Sequence, residues 1–150
     1  MITIEVNEDS IRELYKNSRE EVRTALKAIF GWKILVPIQE RIKSYEDACD
    51  ALGYSTKTPA MSNDPSFLAY YKLSVIAKAL NEGWVPQIGK DSQWFPVFSS
   101  FDDGTFEFEI CKSTIHFDVS PSALALKDRD LCSYFGSNFR DLWQAYLFEV

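Results

Sequence analysis

The spacing of apolar residues along this chain is helical in the first half, alternating after Gly83, and helical again at the end. Ile2, Thr3, Ile4, Glu5 and Val6 alternate and are β-branched enough for a short opening strand. Capping candidates from Asn7 to Ser10 precede Ile11, Leu14 and Tyr15, which fall at helical spacing. Ser18-Arg19-Glu20-Glu21 has the form of a capping box, ahead of a stripe of Val22, Leu26, Ile29 and Phe30 that ends at Gly31. Trp32 to Val36 is apolar and stops before Pro37, as a short strand or an extended connector would.

Ser44-Tyr45-Glu46-Asp47 opens a short helix that Gly53 closes, with Ala48, Cys49, Ala51 and Leu52 as its buried side. Residues 54–63 are rich in Ser, Thr, Lys and Pro and predict a loop. Asp64-Pro65 starts the next helix: Asp caps, and Pro takes the position where a missing N–H costs nothing. Leu68, Tyr71, Val75 and Ala79 line one edge of it, and Ala69, Leu73, Ile76 and Leu80 the adjacent edge. So wide an apolar face predicts a central helix.

After Gly83 the period becomes two. Trp94, Phe95, Val97 and Phe98 suggest a strand, and Pro96 within it predicts an edge or a bulge. Asp102-Asp103-Gly104 is a turn signal. Thr105 to Ile110 alternates, with Phe106, Phe108 and Ile110 on one face and Glu107 and Glu109 on the other; Thr114 to Val119 is a second alternating run. Ala123 to Leu126 reads as a last short strand. From Lys127 to Phe148 a long amphipathic helix is expected, with Gly136 inside it at a cost of about 1 kcal/mol that a close packing contact would explain. The order predicts a single α+β domain over 1–150: a helical N-terminal half, a small antiparallel sheet, and a long C-terminal helix packed on it.

Composition narrows the function classes. The 150 residues are 46% hydrophobic and 15% aromatic, enough for a sizeable core without a metal or disulfide staple. Net charge is −6, which disfavours general binding to nucleic-acid backbones or anionic lipid and suits a basic protein partner. No apolar run approaches the roughly 20 residues of a membrane span. Cys49, Cys111 and Cys132 are odd in number and widely spaced, as expected of free buried thiols in a reducing compartment such as a cytoplasm.

Catalytic signals are sparse. His116 is the single histidine; Glu107 and Glu109 would stand together on one strand face, near His116 on a paired strand, as an acid–base or metal patch whose plainer reading is a solvated sheet face. A pairing of His116 with Cys111 is opposed by strand parity, which puts the two on opposite faces. Phosphate-loop, dinucleotide, zincin and serine-hydrolase motifs do not occur, and no cofactor or metal is called for. The aromatic segment from Trp84 through Trp94, Phe95 and Phe98 to Phe101 offers a ledge for a base, a sugar or a partner's side chain, or else closes the core.

Several of these segments resemble small proteins of phages and integrated mobile elements of gut Bacteroidetes. The resemblance runs through Ile42-Lys43-Ser44-Tyr45-Glu46-Asp47-Ala48-Cys49 with Leu52-Gly53, then Ala69-Tyr70-Tyr71-Lys72-Leu73 with Ala79-Leu80-Asn81-Glu82-Gly83-Trp84. It continues in Ala125 to Leu131, Tyr134-Phe135-Gly136, Phe139 and Leu142-Trp143, and so spans nearly the whole chain. Where those proteins carry a Trp- and Tyr-rich segment, this one has Gln93-Trp94-Phe95-Pro96-Val97-Phe98. The resemblance implies a phage or mobile-element origin and brings no activity with it. The expectation is a non-enzymatic protein that engages a host or phage protein, with homo-oligomerisation left open. A nucleotide-like ligand on the same aromatics and a divergent enzyme using His116 with Glu107 or Glu109 are the alternatives.

Overall fold

The computed structural model describes residues 1, 5–59, 63–115 and 123–148, and divides the chain into two compact units, Met1–Arg41 and Ile42–Val150. The expected opening strand falls on residues 2–4, outside the described residues, and Glu5 and Val6 are in no regular element.

Among the described residues, the first unit holds the helical segments α1 (Glu8–Asn17), α2 (Glu20–Phe30), α3 (Trp32–Leu35) and α4 (Ile38–Arg41). Asn7 caps α1, its side-chain oxygen accepting from the amides of Asp9 at 3.0 Å and Ser10 at 3.2 Å. Ser18 is not the cap of α2. Its hydroxyl donates back to the Leu14 carbonyl at 2.6 Å, and the cap falls on Arg19, which makes no side-chain capping bond. Serine satisfies either helix end, and here the last turn of α1 takes it. Arg23 joins the two helices, donating to the carbonyls of Tyr15 and Lys16 at the end of α1. Ile11, Leu26, Leu35 and Val36 form the core, with Tyr15 and Phe30 packed against it, while Leu14, Val22 and Ile29 of the expected stripes are exposed. Trp32 to Val36 is neither strand nor extended connector over most of its length. It makes one helical turn, closed by Val36 N–H on the Trp32 carbonyl, and only Val36 is extended, as the residue before Pro37 must be. Five residues were too few for their period to reveal this.

The second unit has the α+β order expected. It holds α5 (Tyr45–Leu52), α6 (Pro65–Leu80), the strands β1 (Gln93–Ser100) and β2 (Phe106–Thr114), then α7 (Arg129–Asn138) and α8 (Arg140–Phe148). Ser44 caps α5 by accepting from Asp47 N–H, Asp47 accepts in return from Lys43 N–H, and Gly53 ends the helix in the left-handed region at φ 69°. Ala48 and Cys49 are buried as expected, but Ala51 is exposed; Tyr45 takes the inward position instead. Asp64 caps α6 through the amides of Ser66 and Phe67, with Pro65 in the first turn. Leu73, Ile76, Ala77 and Leu80 of α6 have no measurable exposure, and α5 and α8 both pack on it. Buried Asn81 ends the helix and joins it to a distant loop, donating to Ala125 O at 2.8 Å and accepting from Lys127 N–H at 3.0 Å.

β1 and β2 form an antiparallel hairpin through the Asp102-Asp103-Gly104 turn. Pro96 lies in β1 opposite Cys111, and the register slips by one residue between Val97 and Phe98, leaving Glu109 without a partner. This bulge corrects the expected face: Phe106 is buried and Phe108 half-buried, but past Glu109 it is Cys111 that turns inward and Ile110 that is exposed. β2 also runs unbroken to Thr114, so no turn separates the two alternating runs; 116–119 of the second run lie outside the described residues. The last expected strand reduces to one bridge, a pair of backbone bonds between Trp94 and Leu126.

Two further expectations change. The long final helix is broken at Phe139 (φ −112°, ψ 30°), after the weak helix formers Ser137 and Asn138. The break lets α7 lie on the hairpin while α8 packs on α6, where Ser66 donates to the Tyr146 carbonyl at 2.7 Å. And the thiols are not all free: Cys111 of β2 and Cys132 of α7 form a disulfide, leaving buried Cys49 as the free cysteine. The spacing of 21 residues gave no hint, because the partners meet only through tertiary packing.

The expected reason for Gly136 holds. A Cβ there would lie 2.7 Å from Phe108 Cε2 and 3.0 Å from Pro96 Cβ. Gly136→Ala is therefore expected to lower stability by about 1–3 kcal/mol, against the gain a solvent-facing helical Gly→Ala would bring. Urea unfolding of the two proteins checks the sign.

Candidate functional site

The hairpin end is built by its turn. Phe101 N–H donates to the Thr105 carbonyl at 3.0 Å, Gly104 N–H to the Phe101 carbonyl at 2.9 Å, and Gly104 has φ 83°, which a side chain would resist. Asp103 accepts from Thr105 N–H at 2.9 Å. Hydrogen bonds from the Thr105 side chain and backbone hold the Asp103 carboxyl below the usual carboxylate range. Asp102, Asp103 and Phe101 are all exposed, Phe101 at 55%.

Three of the five aromatic candidates lie on β1, where alternation sets Phe95 apart from Trp94 and Phe98; Trp84 and Phe101 lie outside the strand. Phe98 is a packing residue: its ring is stacked 4.8 Å from Phe106, edge-on to Phe108, and 5.2 Å from Trp143. Trp94 is half-buried where its backbone pairs with Leu126, and Trp84 is half-buried after α6, its N–H on the Asn81 carbonyl. Phe101 alone of the five is exposed at the surface, at the turn.

The outward face of the ribbon carries Phe95 opposite Lys112, Val97 opposite Ile110, and Ser99 opposite Glu107. Phe95 and Val97 are half-buried and Ile110 is exposed. Glu109, displaced by the bulge, accepts from the Ser99 hydroxyl at 2.7 Å. From 93 to 114 the ribbon holds four acids, Asp102, Asp103, Glu107 and Glu109, against one base, Lys112. Sequence periodicity missed Ile110 as a surface residue, since a one-residue bulge leaves no compositional mark.

His116 lies outside the described residues, so its expected neighbourhood with Glu107 and Glu109 is not described. Among the described residues no group of three or more His, Cys, Asp and Glu is placed to hold a metal ion. Among them, too, no helix is long and apolar enough to cross a membrane.

A concavity of about 460 Å³ opens where α7 gives way to α8 and faces the start of α5. Lys72 and Arg140 line it together with Glu46 and Asp141, so its charges balance. The Lys72 ammonium lies 5.5 Å from the centre of the Tyr45 ring, and burial pushes the Tyr45 hydroxyl above its ordinary range. Comparison with protein-family models, with curated proteins and with solved structures finds no match to this chain.

Because Asp103 is depressed, its contribution to the turn is present above the ordinary carboxylate value and lost as pH falls through its folded value. Thr105→Val removes the hydroxyl donor, the largest cause of that depression. The Asp103 titration midpoint, followed by carboxyl ¹³C NMR, is expected to move up in this variant, and an unmoved midpoint contradicts the assignment.

Proposed function

We propose that the chain is a non-catalytic binding protein whose hairpin engages a basic surface on a protein partner. The observation that carries this reading is the exposed Phe101 ring at a turn flanked by the exposed carboxylates of Asp102 and Asp103, with Ile110 exposed between Glu107, Glu109 and Lys112 on the ribbon. An exposed aromatic on a rigid turn is the residue type that anchors protein interfaces. The acids around it would steer a basic partner and repel phosphate backbones. The resemblance to phage and mobile-element proteins supports a partner from the host or the element itself.

Native mass spectrometry of the chain recovered from its own host cells tests the reading. Added mass of several kilodaltons beyond any multiple of 17.2 kDa is expected, falling away as ionic strength rises. Phe101→Ala should weaken that complex about thirtyfold, a loss of about 2 kcal/mol, while leaving the circular dichroism spectrum unchanged. A complex that keeps its affinity in this folded variant removes the hairpin turn as the binding site. A small added mass would favour the nucleotide-like ligand instead.

A further inference from the structure

The hairpin is fastened to the helices in two different ways. At its turn end, rings do it: Phe98 lies 5.2 Å from Trp143, and Phe106 lies 5.4 Å from Phe148. At the other end, past the bulge, the inward residue of β2 is Cys111, bonded to Cys132 of α7. Around it Ile110, Lys112 and Ser113 are exposed. The paired half of β1 keeps one pair of backbone bonds to Leu126 and the Pro96 contact beneath Gly136. A two-stranded ribbon has little stability of its own, so the fastening decides whether this half stays down.

We propose that the Cys111–Cys132 bond is a redox latch, which pins the open end of the hairpin to α7 when formed and releases it to a dithiol reductant while the α6 core stays folded. One reductant thiolate attacks Sγ of Cys111, the S–S bond breaks, and Cys132 leaves as a thiolate that takes up a proton. The reductant's second thiol loses its proton and attacks the mixed disulfide. Cys111 then leaves as a thiolate and is protonated, and the reductant ends as an intramolecular disulfide. Attack goes to Cys111 because it is 7% exposed and Cys132 is 0% exposed. With both sulfurs this deep, exchange waits for the hairpin end to lift, which makes the latch slow in native buffer and faster in urea too dilute to unfold the chain. The latch stands on the hairpin's anchoring alone, whatever the hairpin binds.

The full chain, oxidised with glutathione disulfide and then denatured in N-ethylmaleimide, is expected to carry one adduct, on Cys49; after dithiothreitol all three cysteines should label. Hydrogen exchange read by mass spectrometry should then show residues 110–114 exchanging about tenfold faster or more in the reduced chain, with the α6 amides unchanged. Three adducts without reductant would overturn the proposal, as would unchanged exchange at 110–114. Lost protection of α6 would also overturn it, since the bond would then hold the whole fold together. The double variant Cys111→Ser, Cys132→Ser should show the reduced pattern with or without dithiothreitol, and the reduced native chain gives the same readout if that variant does not accumulate.

Discussion

One close approach organises the larger unit: the hairpin lies so near α7 that position 136 has no room for a Cβ beside Phe108 and Pro96. The contact selects its neighbours on both sides. Pro96 cannot donate to a ladder, but it presents a flat ring where the helix backbone comes down. Phe108 reaches the same spot from the paired strand, one step before the bulge. With α7 seated there, Phe135 is fully buried, and the ring centre of Trp143 in the following helix lies 5.1 Å from that of Phe135 and 5.2 Å from that of Phe98. The indole N–H of Trp143 also reaches the Phe135 carbonyl at 3.3 Å. A two-stranded sheet, marginal alone, becomes one wall of an aromatic core.

The bulge and the helix break are local departures from regularity that serve this arrangement. Without the extra residue at Glu109, strict alternation would turn Ile110 inward and Cys111 outward, away from Cys132. The same slip supplies the exposed apolar residue of the ribbon's outer face. At Phe139 the chain leaves α7 and begins α8. The break brings Tyr146 against Tyr70 of α6, with ring centres 5.4 Å apart, so α8 contributes to both the hairpin core and the α6 core.

What could be read from the residues is what local chemistry decides. Asp64-Pro65, Ser44 with Asp47 and Gly53, and Asp102-Asp103-Gly104 each carry their own hydrogen-bonding or dihedral logic, and each forms the cap or turn expected. The apolar face of α6 was legible because sixteen residues hold many turns of period. The failures lie where two local options were close and tertiary packing chose. Ser18 could end one helix or start the next. Trp32 to Leu35 was too short to show a period. Ser137 and Asn138 weaken a helix without saying whether it breaks. Phe101 stood out in composition no more than Phe98, yet the turn exposes one and the core takes the other.

Charge is distributed along the chain in a way that bears on the binding reading. The first 41 residues hold seven acidic and seven basic side chains, so the whole net charge of −6 belongs to residues 42–150. In the first unit, Arg12 and Arg23 spend their guanidinium groups on backbone carbonyls and nearby acids within the unit itself. On the hairpin the acids of the turn and ribbon face a single lysine, and of their carboxylates Asp103 is held by turn bonds and Glu109 by a serine hydroxyl. Carboxylates fixed in this way lose little freedom on meeting a cationic surface, because the ordering has been done by folding. Set beside an exposed ring, such an array favours a basic protein over a nucleic acid, whose phosphates it would repel, and over a neutral ligand, which gains nothing from the field.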